Sequence, residues 1–474
     1  MPFRRRPQKS DNADIPPGLI ISKNFFHYPV HIKIVRISEM QTSQISRFIL
    51  TILTASAITL SSLTAAAAGD TGAAGKYDSY HGLVMAGYQG WFDTPDDGAG
   101  RGWYHYKGRD GFRPGSATVD FWPDVTDYPQ TYPTEFRMAD GSAAHVFSSH
   151  DASTTDTHFR WMQEYGLDGV FMQRFVGEIS SPSGLAHFNH VLNNAIACAE
   201  KYDRAVAIMY DLSGMRANGQ DRILSDIDSV EARHHLKDRA ACPNYLWHNG
   251  HPLVAVWGVG FNDGRRYGLT EANAIVDGLK AKGYSVLLGV PAFWRELRMD
   301  TNSAPGLHAL IKKCDVVMPW FVGRYNLRSF NKRFRDHVAK DDKWCRDNGV
   351  DYAPLVFPGF SWANMRGPYS TYISRENGRF FWEQLRNAID HGIDMIYVAM
   401  FDEIDEGTAV FKCTENPPVD SAGTRFVPVD KGLGSDYYLR LIGEASRAVK
   451  TGAKLTKMPP TEAERRMADE ALAR

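Results

Sequence analysis

The sequence predicts an α/β fold of the (β/α)8 TIM-barrel type, and three observations point there. Eight short apolar, β-branched runs recur between Leu83 and Asp402. Most of them lead into a stretch with helical periodicity. Each run ends in aromatic or polar residues, at the C-terminal strand ends where barrels of this kind carry their sites. The rival arrangement is an open, doubly wound sheet; the count of eight favours the barrel.

The runs are Leu83 to Phe92, Gly169 to Val176, Ala205 to Leu212, Pro252 to Val259, Ser285 to Trp294, Asp315 to Val322, Tyr352 to Phe360 and Met395 to Asp402. Their continuous apolarity suits parallel strands buried on both faces. Thr155 to Tyr165, Leu185 to Tyr202, Glu271 to Lys282 and Phe380 to His391 carry helical spacing, with Gly283 at a helix C-terminus. The segment DYYLRLIGEASRAVK after Gly434 reads as the closing helix. The barrel is thus expected over residues 77–450, and residues 451–474 as a charged, solvated tail. The interval from Phe92 to Gly169 is long for a strand-to-helix connection and is expected to build the rim of the site.

Composition narrows the function. Of 474 residues, 43% are hydrophobic and 23% charged, which suits a large core. Lys plus Arg number 54 against 55 Asp plus Glu, a balance that disfavours nucleic acid or an anionic membrane as the main partner. Five Cys in such a chain exclude a disulfide scaffold, although one or two pairs could form after export. No Cys-x-x-Cys or His-Glu-x-x-His occurs, and the glycines of GVGFNDG (258–264) miss the dinucleotide spacing. The adjacent His234 and His235 face different ways on a charged helix. No cofactor or metal is therefore expected.

Residues 46–68, SRFILTILTASAITLSSLTAAAA, combine Arg47, an apolar stretch from Phe48 to Leu60 and the small residues Ala65 to Ala67. This is the pattern of a secretory signal, placed over residues 40–68 if translation starts at Met40, with residues 1–39 an unstructured or mis-assigned extension. The expected location is outside the cytoplasm, without stable membrane association. The alternative is a membrane-anchored protein.

The predicted strand ends gather Tyr88, Gln89 and Trp91, Gln173 and Arg174, Tyr210 and Asp211, Trp257, Trp294, Trp320 with Arg324, and Trp362. Trp103, Tyr104 and His105 lie in the rim insertion. Aromatic faces stack on the C–H faces of sugars while polar groups pair with hydroxyls, so a carbohydrate is the expected partner. The sharpest feature is MFDEIDEGTAVFK at 400–412, with Asp402, Glu403, Asp405 and Glu406 together. Glycosidic hydrolysis uses two carboxyl groups, one protonated and one ionised, and proximity separates their pKa values. Glu403 and Glu406 would lie roughly 5–6 Å apart at Cβ if the turn is helical. A non-catalytic glycan-binding barrel is the competing reading.

The segment FDEIDEGT resembles the Phe-Asn-Glu-Trp-x-Glu-Gly-Thr motif of glycoside hydrolase family 99, the endo-α-mannosidases and endo-α-mannanases. The opening YDSYHGLVMAGYQGWFDTPDDGAGRGW is similar to secreted bacterial proteins of the family 71/99-like group, and the resemblance spans Tyr77 to Val449. It implies a (β/α)8 barrel, no cofactor, and retention of anomeric configuration. It further implies that Glu403 deprotonates the sugar 2-hydroxyl, which attacks the anomeric carbon to give a 1,2-anhydro sugar. Glu406 would protonate the leaving oxygen and then activate water. Two positions depart from the motif: Asp402 stands where the family has Asn, and Ile404 where it has Trp.

Overall fold

The computed structural model describes residues 75–461 apart from Tyr369. The extension, the signal segment and most of the charged tail lie outside the described residues.

All eight apolar runs form strands. They are Leu83–Tyr88, Gly169–Phe175, Ala205–Asp211, His251–Trp257, Ser285–Pro291 and Val316–Trp320, then a divided seventh strand (Asp351–Tyr352 and Leu355–Val356) and finally Met395–Val398. They are referred to below as the first to the eighth strand. Every pairing in this sequence is parallel, and the first strand pairs with both the second and the eighth. The ring closes through the seventh strand, whose first piece pairs with the sixth and whose second piece pairs with the eighth. Pro354 lies between the two pieces and has no N–H to give the ladder. Ala353 N–H still donates to Val317 O at 3.0 Å, and Pro354 O accepts from Tyr397 N–H at 3.1 Å, so the division leaves no gap.

Helices cover the ring. Pro182–Tyr202 begins with Ser181, whose hydroxyl accepts from Gly184 N–H at 3.1 Å, and with Pro182 at its first position. Leu269–Ala281 begins where the Glu271 carboxylate accepts Gly268 N–H at 2.9 Å and ends at Gly283, whose φ of +83° is the left-handed exit expected there. The closing helix, Tyr437–Thr451, packs on the first strand and on helices Ala152–Tyr165 and Arg379–Asp390. Its Ser446 donates to Asp168 at 2.8 Å, and Asp168 accepts Val84 N–H at 2.8 Å, which ties the helix to the bottom of the first strand.

The interval after the first strand carries an antiparallel pair, Tyr132–Arg137 with Ala143–Val146, before its helix Ala152–Tyr165. An aromatic cluster of Phe112, Trp122, Phe136 and Phe426 holds it together. Trp103 packs on Phe112 and Tyr106 in this layer.

All five cysteines are buried and unpaired, so the disulfide pairs that export would allow do not form. Instead the thiols fill apolar space as small hydrophobes.

Four residues expected in the cup pack away from it. Tyr88 donates or accepts at His158 Nδ1 (2.8 Å) on the following helix. Arg174 donates to both oxygens of Asp226 at 2.6 Å and to Asn189 at 3.0 Å, and Tyr210 donates to Asp226 at 2.7 Å. Trp294 is fully buried against Trp344. The first three share one cause: successive strand residues point to opposite faces. Gln89, Gln173 and Asp211 face the cup, so their neighbours Tyr88, Arg174 and Tyr210 face the helices.

Arg174 and Asp226 form a buried, bidentate ion pair. Replacing Arg174 by Met strands the carboxylate in apolar surroundings and is expected to cost about 3–5 kcal/mol of stability. Denaturant unfolding of the variant against the wild type measures this.

Candidate active site

The loops after the strands enclose a cleft of about 570 Å³. Glu403 and Glu406 lie in its wall, and Gln89, Trp91, Gln173, Asp211, Trp257, Trp320, Arg324 and Trp362 from the expected set line it as well. Its floor is filled by side chains from below. A Cβ on Gly87 would meet the Tyr397 hydroxyl and Met400 Cε at 2.2 Å, so glycine is what lets the first strand pass under the cleft.

The carboxylate segment is clamped from three sides. Asp120 and Phe121, in the rim insertion, donate their N–H groups to Ile404 O at 2.9 and 3.2 Å. Ser361, after the seventh strand, donates to Glu406 O at 2.9 Å. From the first strand, Gln89 N–H and Gly90 N–H donate to the two oxygens of Asp402 at 2.7 and 2.9 Å. Asp402 is therefore fully buried beneath the cleft and positions the loop that carries Gln89; it does not face the cavity. Ile404 is buried likewise. Residues 404–407 form a turn and not a helix, closed by Gly407 at φ +65°.

Gln89 Nε2 donates to Glu403 Oε1, and the Thr408 hydroxyl donates to Oε2. Burial, then the charges of Glu406 and Asp405, push the Glu403 carboxyl well above its usual range. Burial and Asp405 push Glu406 up to about 8, against a pull downward from Trp362. The pair thus retains a proton at neutral pH. Asp211, also raised by burial, accepts Ser213 N–H at 2.6 Å.

The aromatic walls are assembled in pairs. Trp91 stacks on His105 with ring centroids 3.7 Å apart and on Phe175 at 4.8 Å. Trp257 meets Trp320 edge-on at 5.0 Å, and Trp362 lies 5.0 Å from Phe360. His105 Nδ1 is 2.9 Å from Asp405 Oδ2, which joins the rim to the carboxylate turn. Sequence reasoning had no handle on Glu178, Phe261, Asp263, Arg265 or Thr371, which also line the cleft. They follow strand ends by several residues, where loop geometry decides orientation. Arg265 covers Phe261 and Trp257 at 4.6 and 5.0 Å.

Among the described residues two groups have the spacing to hold a metal ion: Asp93, His150 and His187, and His81, His248 and Asp351. Neither includes the carboxyl pair.

Fold and site together define a (β/α)8 barrel whose cleft opens at the strand C-termini. Two solved structures of a family 99 endo-α-mannosidase from Bacteroides thetaiotaomicron share this fold. The free enzyme superposes with a TM-score of 0.59 and the complex with BIS-TRIS propane with 0.57. Each is 16% identical to this chain, and the alignment covers 79% of this chain and 99% of the other. No protein-family model and no curated protein sequence matches the chain.

The raised carboxyls make stability depend on pH. A group whose folded pKa lies above its unfolded value binds its proton more tightly in the native state, so stability falls as pH climbs between the two values. For Glu406 that window runs from 4.5 to about 8. Melting temperatures measured across it should decline more steeply for the wild type than for Glu406→Gln.

Proposed function

We propose that the protein is a retaining glycoside hydrolase acting on α-linked glycans, with endo-α-mannosidase-like chemistry. One observation carries this reading: a buried carboxyl group, Glu403, and a half-buried one, Glu406, stand together at the wall of an aromatic cleft, at the end of the eighth strand. The resemblance of FDEIDEGT to the family 99 motif and the likeness of the folds support it. The Trp257, Trp320 and Trp362 rings are the sugar platforms, with Trp91 held between His105 and Phe175, and Gln173 and Asp211 are the hydroxyl partners.

The roles follow from what each carboxyl receives. Desolvation favours a proton on Glu403, whereas the Gln89 and Thr408 donors favour its charged form. These donors engage both oxygens of Glu403 and oppose the burial and the Glu406 and Asp405 charges that raise it, while Glu406 has the Trp362 indole beside it, and the base and acid roles are those of the motif that FDEIDEGT resembles. Glu403 takes the proton of the 2-hydroxyl as O2 bonds to the anomeric carbon. The glycosidic bond breaks, and Glu406 gives its proton to the leaving oxygen. Water then attacks the anomeric carbon, its proton passing to Glu406, while O2 recovers its proton from Glu403. Two inversions give net retention.

Asp402 and Ile404 set the departure from the motif. Both are buried, so neither contacts a sugar in the cleft.

On a panel of α-linked glycans, Glu406→Gln should lower kcat/KM by about 10²–10⁴-fold, and Glu403→Gln by a similar factor. NMR of the first-formed product should show the retained anomer. A wild-type rate in either variant would overturn the role given to that carboxyl, and binding without turnover in the wild type would favour a glycan-binding barrel. The reading includes export through residues 40–68; a mature N-terminus near Gly69 is the result it requires.

A further inference from the structure

We infer that Asp93, His150 and His187 bind a divalent transition metal, with zinc as the fitting probe, at a site beside the cleft and apart from its carboxyl pair. The three residues come from separate segments: the start of the rim insertion, the turn before helix Ala152–Tyr165, and the helix Pro182–Tyr202. One ligand atom from each lies within 4.8 Å of the other two.

Hydrogen placement on His187 is fixed by its surroundings. Its Nε2 is 2.8 Å from Gly90 O, and a carbonyl only accepts, so Nε2 carries the hydrogen. The ring is almost wholly buried, which disfavours a second proton. Nδ1 is therefore a lone pair, yet it faces Asp93 Oδ1 at 3.2 Å. Two such atoms in contact need a proton or a cation between them, and the spacing of the three ligand atoms suits a cation. Zinc bonds of about 2.0–2.1 Å to nitrogen and oxygen put tetrahedral ligands roughly 3.3 Å apart, close to this separation. A metal-bound imidazole whose other nitrogen donates to a backbone carbonyl is the usual supporting arrangement.

The surroundings agree. His150 Nδ1 and His187 Nδ1 are buried without a hydrogen-bond partner. Arg101 Nη1 sits 3.2 Å from Asp93 Oδ2, leaving Oδ1 to face the histidines. Two imidazoles and one carboxylate suit zinc and its neighbours in the first transition row better than calcium or magnesium. The other group is already satisfied: His248 Nδ1 accepts Tyr80 N–H at 3.3 Å, and its Nε2 donates to Asp351 at 2.9 Å. The metal would be structural. Through His187 it fixes Gly90, and with it the loop that presents Gln89 to Glu403.

The full chain, stripped with a chelator and titrated with zinc chloride by calorimetry, should bind one zinc per chain and melt higher with zinc than without. Outer-shell changes alone cost roughly 10–100-fold in metal affinity, so His150→Ala and Asp93→Asn should each weaken binding by about 100-fold or more. His150 is half-exposed, which keeps its alanine variant foldable, and an unchanged metal-free melting temperature verifies that. His81→Ala should bind zinc as the wild type does. No saturable binding by the wild type, stoichiometric binding retained by His150→Ala, or loss of binding in His81→Ala would overturn the site.

Discussion

The first strand pairs with the eighth, and one carboxylate holds the upper end of that seam. Asp402 accepts the amides of Gln89 and Gly90 while Phe401 N–H donates to Gly87 O at 2.7 Å. The loops after the two strands thereby become one rigid unit. Gln89 is brought onto Glu403, and Trp91 two residues later onto the rim residue His105. Burial outweighs the pull of the two amides and leaves Asp402 raised to about 7. The seam is thus also the reason the neighbouring carboxyls sit in a dry, crowded place. Electrostatic asymmetry in the cleft grows out of how the barrel closes.

Eight strands were legible because parallel strands, covered on both faces, need unbroken apolar runs, and nothing else in the chain repeats that pattern. The same property hid which strand-end residue faces the cup. A strand with one wet face alternates and announces its parity; these strands do not. Tyr88 and Gln89, Arg174 and Gln173, and Tyr210 and Asp211 are adjacent pairs in which one member faces the cleft and the other faces the helices. Glu403 and Glu406 escaped that ambiguity because four carboxylates in five residues have few structural uses. Trp103 is placed on the rim by its position in the long insertion and Trp294 in the cup by its position at a predicted strand end, and both serve packing.

The residues missed by sequence reasoning share a position. Glu178, Asp263, Arg265 and Thr371 stand several residues beyond a strand end, in loops whose course depends on partners far along the chain. Glu178 meets Arg101 at 2.8 Å, and Tyr104 donates to its other oxygen. No local pattern encodes such a meeting. The Asp93, His150 and His187 group is of the same kind: three segments, no motif spacing, and a geometry that exists only once the rim insertion folds against the second helix of the chain's described part. Of the five thiols only Cys198 sits in an element legible from the sequence, and each is simply enclosed.

Catalysis by this pair needs an uneven division of one proton between Glu403 and Glu406, in which the Gln89 and Thr408 donors oppose the burial that raises Glu403. Infrared difference spectra of protein carrying 13C-labelled glutamate read this directly. At pH 7 the wild type should show one protonated glutamic acid band in the buried range, and that band should vanish in Glu406→Gln. Two ionised carboxylates at pH 7, or a band that survives Glu406→Gln and disappears in Glu403→Gln, would contradict it.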